Sequence, residues 1–102
     1  MLKFFNDTAF RDDIQTHSEL YIYFHSLGCG PCIELHPKVD KFGKTSSHLV
    51  YMVSDDEGKE LQEQLNVTAY PSMVLLKNKK VERAGLGAQE VTNMIEDGTS
   101  NQ

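Results

Sequence analysis

Leu20-Tyr21-Ile22-Tyr23-Phe24-His25-Ser26-Leu27-Gly28-Cys29-Gly30-Pro31-Cys32 decides how this chain is read. Leu20 to Phe24 is apolar at both alternating positions, the pattern of a strand covered on both faces. After Cys32 the apolar residues Leu35, Val39 and Phe42 step by four and then three, the stripe of a helix. A strand, a tight turn and a helix therefore follow one another, and Cys29 and Cys32 sit where the turn meets the helix. They are the chain's only cysteines. Free amide N–H groups at a helix start stabilise a nearby anion, and a thiolate is such an anion. The second sulfur lies one helical turn along, close enough to close a small disulfide ring. The stretch points to thiol chemistry.

Working outward, Pro37 lies inside the helical stripe, removes one backbone N–H and is expected to kink the helix, which Gly43 should end. Upstream, Asn6 or Asp7 can cap a first helix with Phe10, Ile14 and His17 on one face, after a short strand at Phe4-Phe5. Downstream, Leu49 to Val53 reads as a second buried strand. Asp55-Asp56-Glu57-Gly58 places acidic residues at the favourable end of a short helix marked by Leu61 and Leu65. Val67 to Pro71 is a connector. Ser72 to Leu76 and Lys80 to Ala84 form a hairpin through Asn78-Lys79, where Asn tolerates the left-handed conformation. Gly85 and Gly87 lead into a last helix with Val91, Met94 and Ile95 inward; Gly98 should stop it, leaving residues 98–102 frayed. A βαβ half joined to an antiparallel ββα half makes an α/β fold: a central mixed sheet with helices on both faces.

With 102 residues, one domain spanning 1–102 is expected. Ten basic against fifteen acidic residues give a net charge of −5, which argues against nucleic acid as a partner. Lys77, Lys79 and Lys80 read as a solvated turn. No apolar stretch reaches the roughly 20 residues that span a bilayer. The opening residues turn acidic at Asp7 and lack the marks of a signal peptide. A reducing, cytoplasmic setting is expected, where a C-x-x-C serves redox or metal chemistry.

The chain resembles the thioredoxin family over about residues 1–97. The resemblance rests on Cys29-Gly30-Pro31-Cys32, on Pro37 in the following helix, and on Tyr70-Pro71-Ser72 before an apolar strand. It implies a thioredoxin-like fold and a dithiol reductase of protein disulfides. Cys29 would attack, Cys32 would resolve, and Pro71 would be cis against the disulfide. The backbone at Tyr70, with Pro71 and the open rim at Gly28, would receive an extended substrate segment. Pro31 would stiffen the ring, and Gly30 would let a partner backbone approach. The implied partners are disulfide-containing proteins and an upstream flavoprotein reductase; the chain is expected to be a monomer that binds no cofactor itself.

Three residues depart from the family pattern. Gly28 and His25 stand where the family has Trp, and Tyr23 stands where it has a buried Asp. Loss of that carboxylate predicts slow resolution by Cys32 unless another side chain substitutes. Tyr23 reads as core packing, with a proton relay as the alternative. His25 reads as a strand-end residue, His36 as solvated, and His17 and His48 as surface or element-end residues. A zinc site would need two further ligands. Alternatives to the reductase are a thioredoxin-fold binding or scaffold module, and oxidase or isomerase use of the same dithiol.

Overall fold

The apolar run of the opening stretch lies at the centre of the sheet. In the computed structural model, which describes residues 1–100, the chain forms β1 (Leu2–Phe4), α1 (Asp7–Thr16), β2 (Glu19–His25), α2 (Gly30–Thr45), β3 (Val50–Ser54), α3 (Lys59–Gln64), β4 (Ser72–Lys77), β5 (Lys80–Leu86) and α4 (Gly87–Ser100). The strand order is β1-β3-β2-β4-β5. β1 and β2 pair parallel with β3, whereas β4 pairs antiparallel with β2 and β5 antiparallel with β4. This is the mixed sheet expected from the order of elements and the thioredoxin-like fold that the resemblance implies.

Alternation along the strands divides the core in two. Tyr21, Tyr23, Val50, Met52 and Met73 face α2 and α4, meeting Leu35, Val39, Phe42, Val91, Met94 and Ile95. Leu20, Ile22, Phe24, Tyr51, Val53 and Val74 face the other way, toward Phe10, Ile14, Leu61 and Leu65. Because β2 is covered on both faces, Ile22, Tyr23 and Phe24 are fully buried. Full burial of such a side chain stabilises the fold by about 1.5–3 kcal/mol.

The local signals act as their chemistry requires at several points. The Asn6 side chain caps α1 by accepting from the Ala9 amide at 2.9 Å. Asn78 and Lys79 take φ of 53° and 67°, so the hairpin turn is left-handed at both central residues. Two helix ends differ from expectation. α2 continues past Gly43 to Thr45, and α4 continues past Gly98 to Ser100. Both glycines serve packing: a Cβ on Gly43 would lie 2.8 Å from Leu2 Cδ1, and one on Gly98 would lie 2.7 Å from Phe42 Cζ. Of the frayed tail expected over 98–102, residues 98–100 are helical, and Asn101 and Gln102 lie outside the described residues. Gly85 lies within β5, not in a loop, and β1 begins at Leu2 and ends before Phe5.

His17 is the C-cap of α1, not part of its inner face; the buried partner of Phe10 is instead Asp13. Asp13 accepts from Lys3 Nζ at 2.7 Å and from the Tyr51 hydroxyl at 2.5 Å, tying α1 to β1 and β3. Burial disfavours its charged form, but the bonds from Lys3 and Tyr51 outweigh that cost and hold the carboxyl below its ordinary value. Replacing Asp13 with Ala orphans the buried Tyr51 hydroxyl and should cost about 1–3 kcal/mol in denaturant unfolding. Adding Tyr51→Phe should recover part of the loss. Since the folded value is depressed, this contribution is present above the ordinary carboxylate value and is lost as pH falls through the folded one. The gap between wild type and Asp13→Ala should therefore narrow as pH falls below about 3.8, leaving the part that comes from the unpaired Tyr51 hydroxyl.

Candidate active site

β2 ends at His25, and the chain turns over Ser26–Gly28 with the Cys29 amide donating to the Ser26 carbonyl at 3.3 Å. Cys29 is the N-cap of α2, in extended backbone geometry (φ −98°, ψ 107°). Its carbonyl accepts the first helical bond, from Ile33 at 3.3 Å, and its sulfur accepts from the Cys32 amide at 3.2 Å. The sulfur thus occupies the place an Asp or Ser oxygen takes in an ordinary cap. A thiolate there would meet an orphan amide and the positive end of a four-turn helix, both of which favour the charged form. Pro31, in the first turn, has no N–H to leave unpaired.

Cys29 and Cys32 are joined as a disulfide with Cα atoms 5.2 Å apart. Cys29 is partly exposed, whereas Cys32 is fully buried. Only the first sulfur is open to a second molecule. Gly28 and Gly30 border open space, with no atom within 4 Å of where a Cβ would stand. Leu27 and Ile33 flank the motif and are 84% and 61% exposed. They form an apolar rim that sequence reading missed, although their positions either side of the turn could have suggested it.

Pro71 comes to the same end of the sheet, because Ser72 pairs with Phe24 next to the end of β2. The Tyr70–Pro71 peptide is cis, the form the resemblance implies. Pro71 is fully buried, and its carbonyl accepts from the Gly87 amide at 2.8 Å. Gly87 meets it with φ of 87°, a conformation that favours glycine. The Tyr70 ring packs on the opposite side of the sheet from α2, with its hydroxyl donating to Gln62. Its side chain therefore faces away from the cysteines.

Two of the three residues that depart from the family pattern, Tyr23 and His25, lie together, and Tyr23 reaches the Cys32 backbone. The Tyr23 hydroxyl donates to the Cys32 carbonyl at 3.3 Å. The His25 ring stacks on Tyr23, with centroids 5.7 Å apart. His36 is not solvated as expected: it is half-buried, with its ring 4.8 Å from that of His25 and edge-on to it. Its spacing of four residues from Cys32, one helical turn, was the available signal. The described residues contain no group of three or more His, Cys, Asp or Glu side chains placed to hold a metal.

A family model described as thioredoxin matches residues 1–98. The chain is 33% identical to thioredoxin 1 of Plasmodium falciparum over 92 residues, 88% of each chain. It is 36% identical to a thioredoxin of Echinococcus granulosus over 56 residues, and spans about half (52%) of that protein's length. The solution structure of the oxidised thioredoxin from Plasmodium falciparum superposes with a TM-score of 0.77 at 26% identity, covering 95% of this chain and 97% of that one. With a redox-type cysteine pair at a helix start, a cis-proline at the same end of the sheet and this likeness end to end, the chain belongs to the thioredoxin family, oxidoreductases that act on protein disulfides.

Proposed function

We propose that this chain reduces protein disulfides, with Cys29 as the attacking thiolate and Cys32 as the resolving thiol. The observation that carries the assignment is the Cys32 amide donating to the sulfur of a partly exposed Cys29. The Cys29 thiolate attacks one sulfur of the target disulfide and displaces the other as a thiolate. Cys32 then attacks the Cys29 sulfur, the bond to the target breaks, and the chain is left oxidised as in this structure. Two electrons pass to the target. A flavoprotein-type disulfide reductase returns them, and the chain itself needs no cofactor.

Gly28, the Tyr70 backbone and Pro71 receive the substrate as an extended segment. The open space at Gly28 and the placing of Pro71 at the end of β2 support that role. Gly30 and Pro31 shape the ring. We further read residues 1–102 as one domain acting as a monomer, supported by a single sheet that carries all five described strands. No described helix is long and apolar enough to cross a membrane. A dithiol reductase works where its cysteines are kept reduced, which supports the cytoplasm.

The test is reduction of insulin disulfides by the purified chain with dithiothreitol as electron source, read as turbidity of the released chain. We expect a rate well above dithiothreitol alone. A rate no faster than dithiothreitol alone, from folded protein, would contradict the reading.

A further inference from the structure

Cys32 is fully buried, and its thiol must lose a proton before it can attack Cys29. Apolar surroundings disfavour a thiolate, so a buried thiol needs an acceptor within reach. Tyr23 does not serve: burial pushes its phenol up to about 12, and its hydroxyl is committed to the Cys32 carbonyl.

Two imidazoles lie against that phenol. His25 follows Tyr23 by two residues on β2 and so shares its face of the sheet. His36 follows Cys32 by four residues on α2 and so shares its face of the helix, where side chains lean toward the N-terminal end. Their rings are 4.8 Å apart and edge to face. His25 Nδ1 and His36 Nε2 are both shut off from solvent, and neither has a hydrogen-bond partner. Buried polar atoms are nearly always paired, so two orphaned ring nitrogens on rings packed against Tyr23, whose hydroxyl bonds the Cys32 carbonyl, require an explanation. Both rings also line an open cavity of about 690 Å³, whose wall includes Asp40, Ser54 and Glu57.

We propose that His25 and His36 together accept the proton released by the Cys32 thiol during resolution and pass it to solvent through this cavity. The inference rests on the proposed roles of Cys29 and Cys32. In the step, the Cys32 S–H proton goes to the neutral imidazole pair, and the Cys32 sulfur bonds to the Cys29 sulfur. The bond from Cys29 to the substrate sulfur breaks, and the substrate leaves as a thiolate. The imidazolium then loses its proton to water in the cavity.

The surroundings favour the neutral form of the His25 imidazole on balance. Burial and the neighbouring His36 lower the His25 value, whereas Glu57, Asp55 and Asp56 raise it. Asp40 of α2 adds a carboxylate to the same cavity, and Tyr23 on β2 is uncharged. Since the net shift is downward, His25 is neutral and able to accept at pH 7. Resolution should slow as pH falls below the ordinary imidazole value of 6.5.

The test is stopped-flow mixing of reduced protein with Ellman's reagent. The first phase is attack by Cys29 and the second is resolution by Cys32, each releasing one thionitrobenzoate. His25→Gln with His36→Gln should leave the first phase within about twofold. It should slow the second by about 100-fold, the lower end of the range general-base assistance covers. The double variant should also lose the acid limb of the second-phase pH profile, and added imidazole, entering the cavity, should restore part of the rate. An unchanged second phase in folded double variant would overturn the inference, as would a slower one that keeps its acid limb. If Cys29→Ser retains the first phase, the reading of the cysteines fails instead.

Discussion

Cys29→Ser is expected to reduce protein-disulfide reduction to background, while Cys32→Ser should accumulate targets as stable mixed disulfides. The asymmetry follows from position on one helix. Cys29 caps α2, accepts an amide N–H and is partly exposed, so it can both ionise and meet a second molecule. Cys32 lies one turn inside and is fully buried, so it can reach only the Cys29 sulfur. A serine at 29 leaves no nucleophile at the surface. A serine at 32 leaves the first step intact and removes the second, so the covalent adduct persists. Non-reducing electrophoresis with mass spectrometry reads both outcomes. Adducts on Cys29→Ser, or none on Cys32→Ser, would reverse the assignment.

The second large effect is one of packing. Gly98→Ala is expected to destabilise the fold by about 1–3 kcal/mol, the usual cost of overfilling a packed core. Helix propensity alone predicts the opposite sign, a gain of about 0.8–1.0 kcal/mol on replacing Gly by Ala in a helix interior. Packing wins here because the new Cβ would lie 2.7 Å from Phe42 Cζ and 2.8 Å from the Tyr21 hydroxyl. Neither ring is free to withdraw. Both are buried and packed edge to face at 5.0 Å. The Gly98 carbonyl is also held, 3.0 Å from His48 Nε2. Urea denaturation of the two proteins measures the difference, and a more stable variant would show that α4 can shift away.

Much of this was legible from local pattern. The two-faced apolar run gave away β2, because a strand apolar at every position has to be covered on both sides. Asn78 marked the hairpin, because a left-handed turn requires a residue that tolerates positive φ. The stripe of Leu35, Val39 and Phe42 that follows the cysteines placed α2. What escaped reading depends on contacts between distant residues. Gly43 and Gly98 resemble helix stops in one dimension and are close-approach sites in three. Asp13 carries no local signal, since its partners Lys3 and Tyr51 lie 10 and 38 residues away. His36 looked solvated because only the folded sheet brings His25 against it.

The claim at the centre of this account is that the start of α2 makes Cys29, and not Cys32, the reactive thiol. Alkylation of the fully reduced protein by iodoacetamide across pH, with each site followed by peptide mass mapping, tests it most directly. The account predicts that Cys29 reacts first, with a midpoint below the ~8.5 of an ordinary thiol, while Cys32 stays protected at neutral pH. Equal or faster alkylation of Cys32 in folded protein would contradict it.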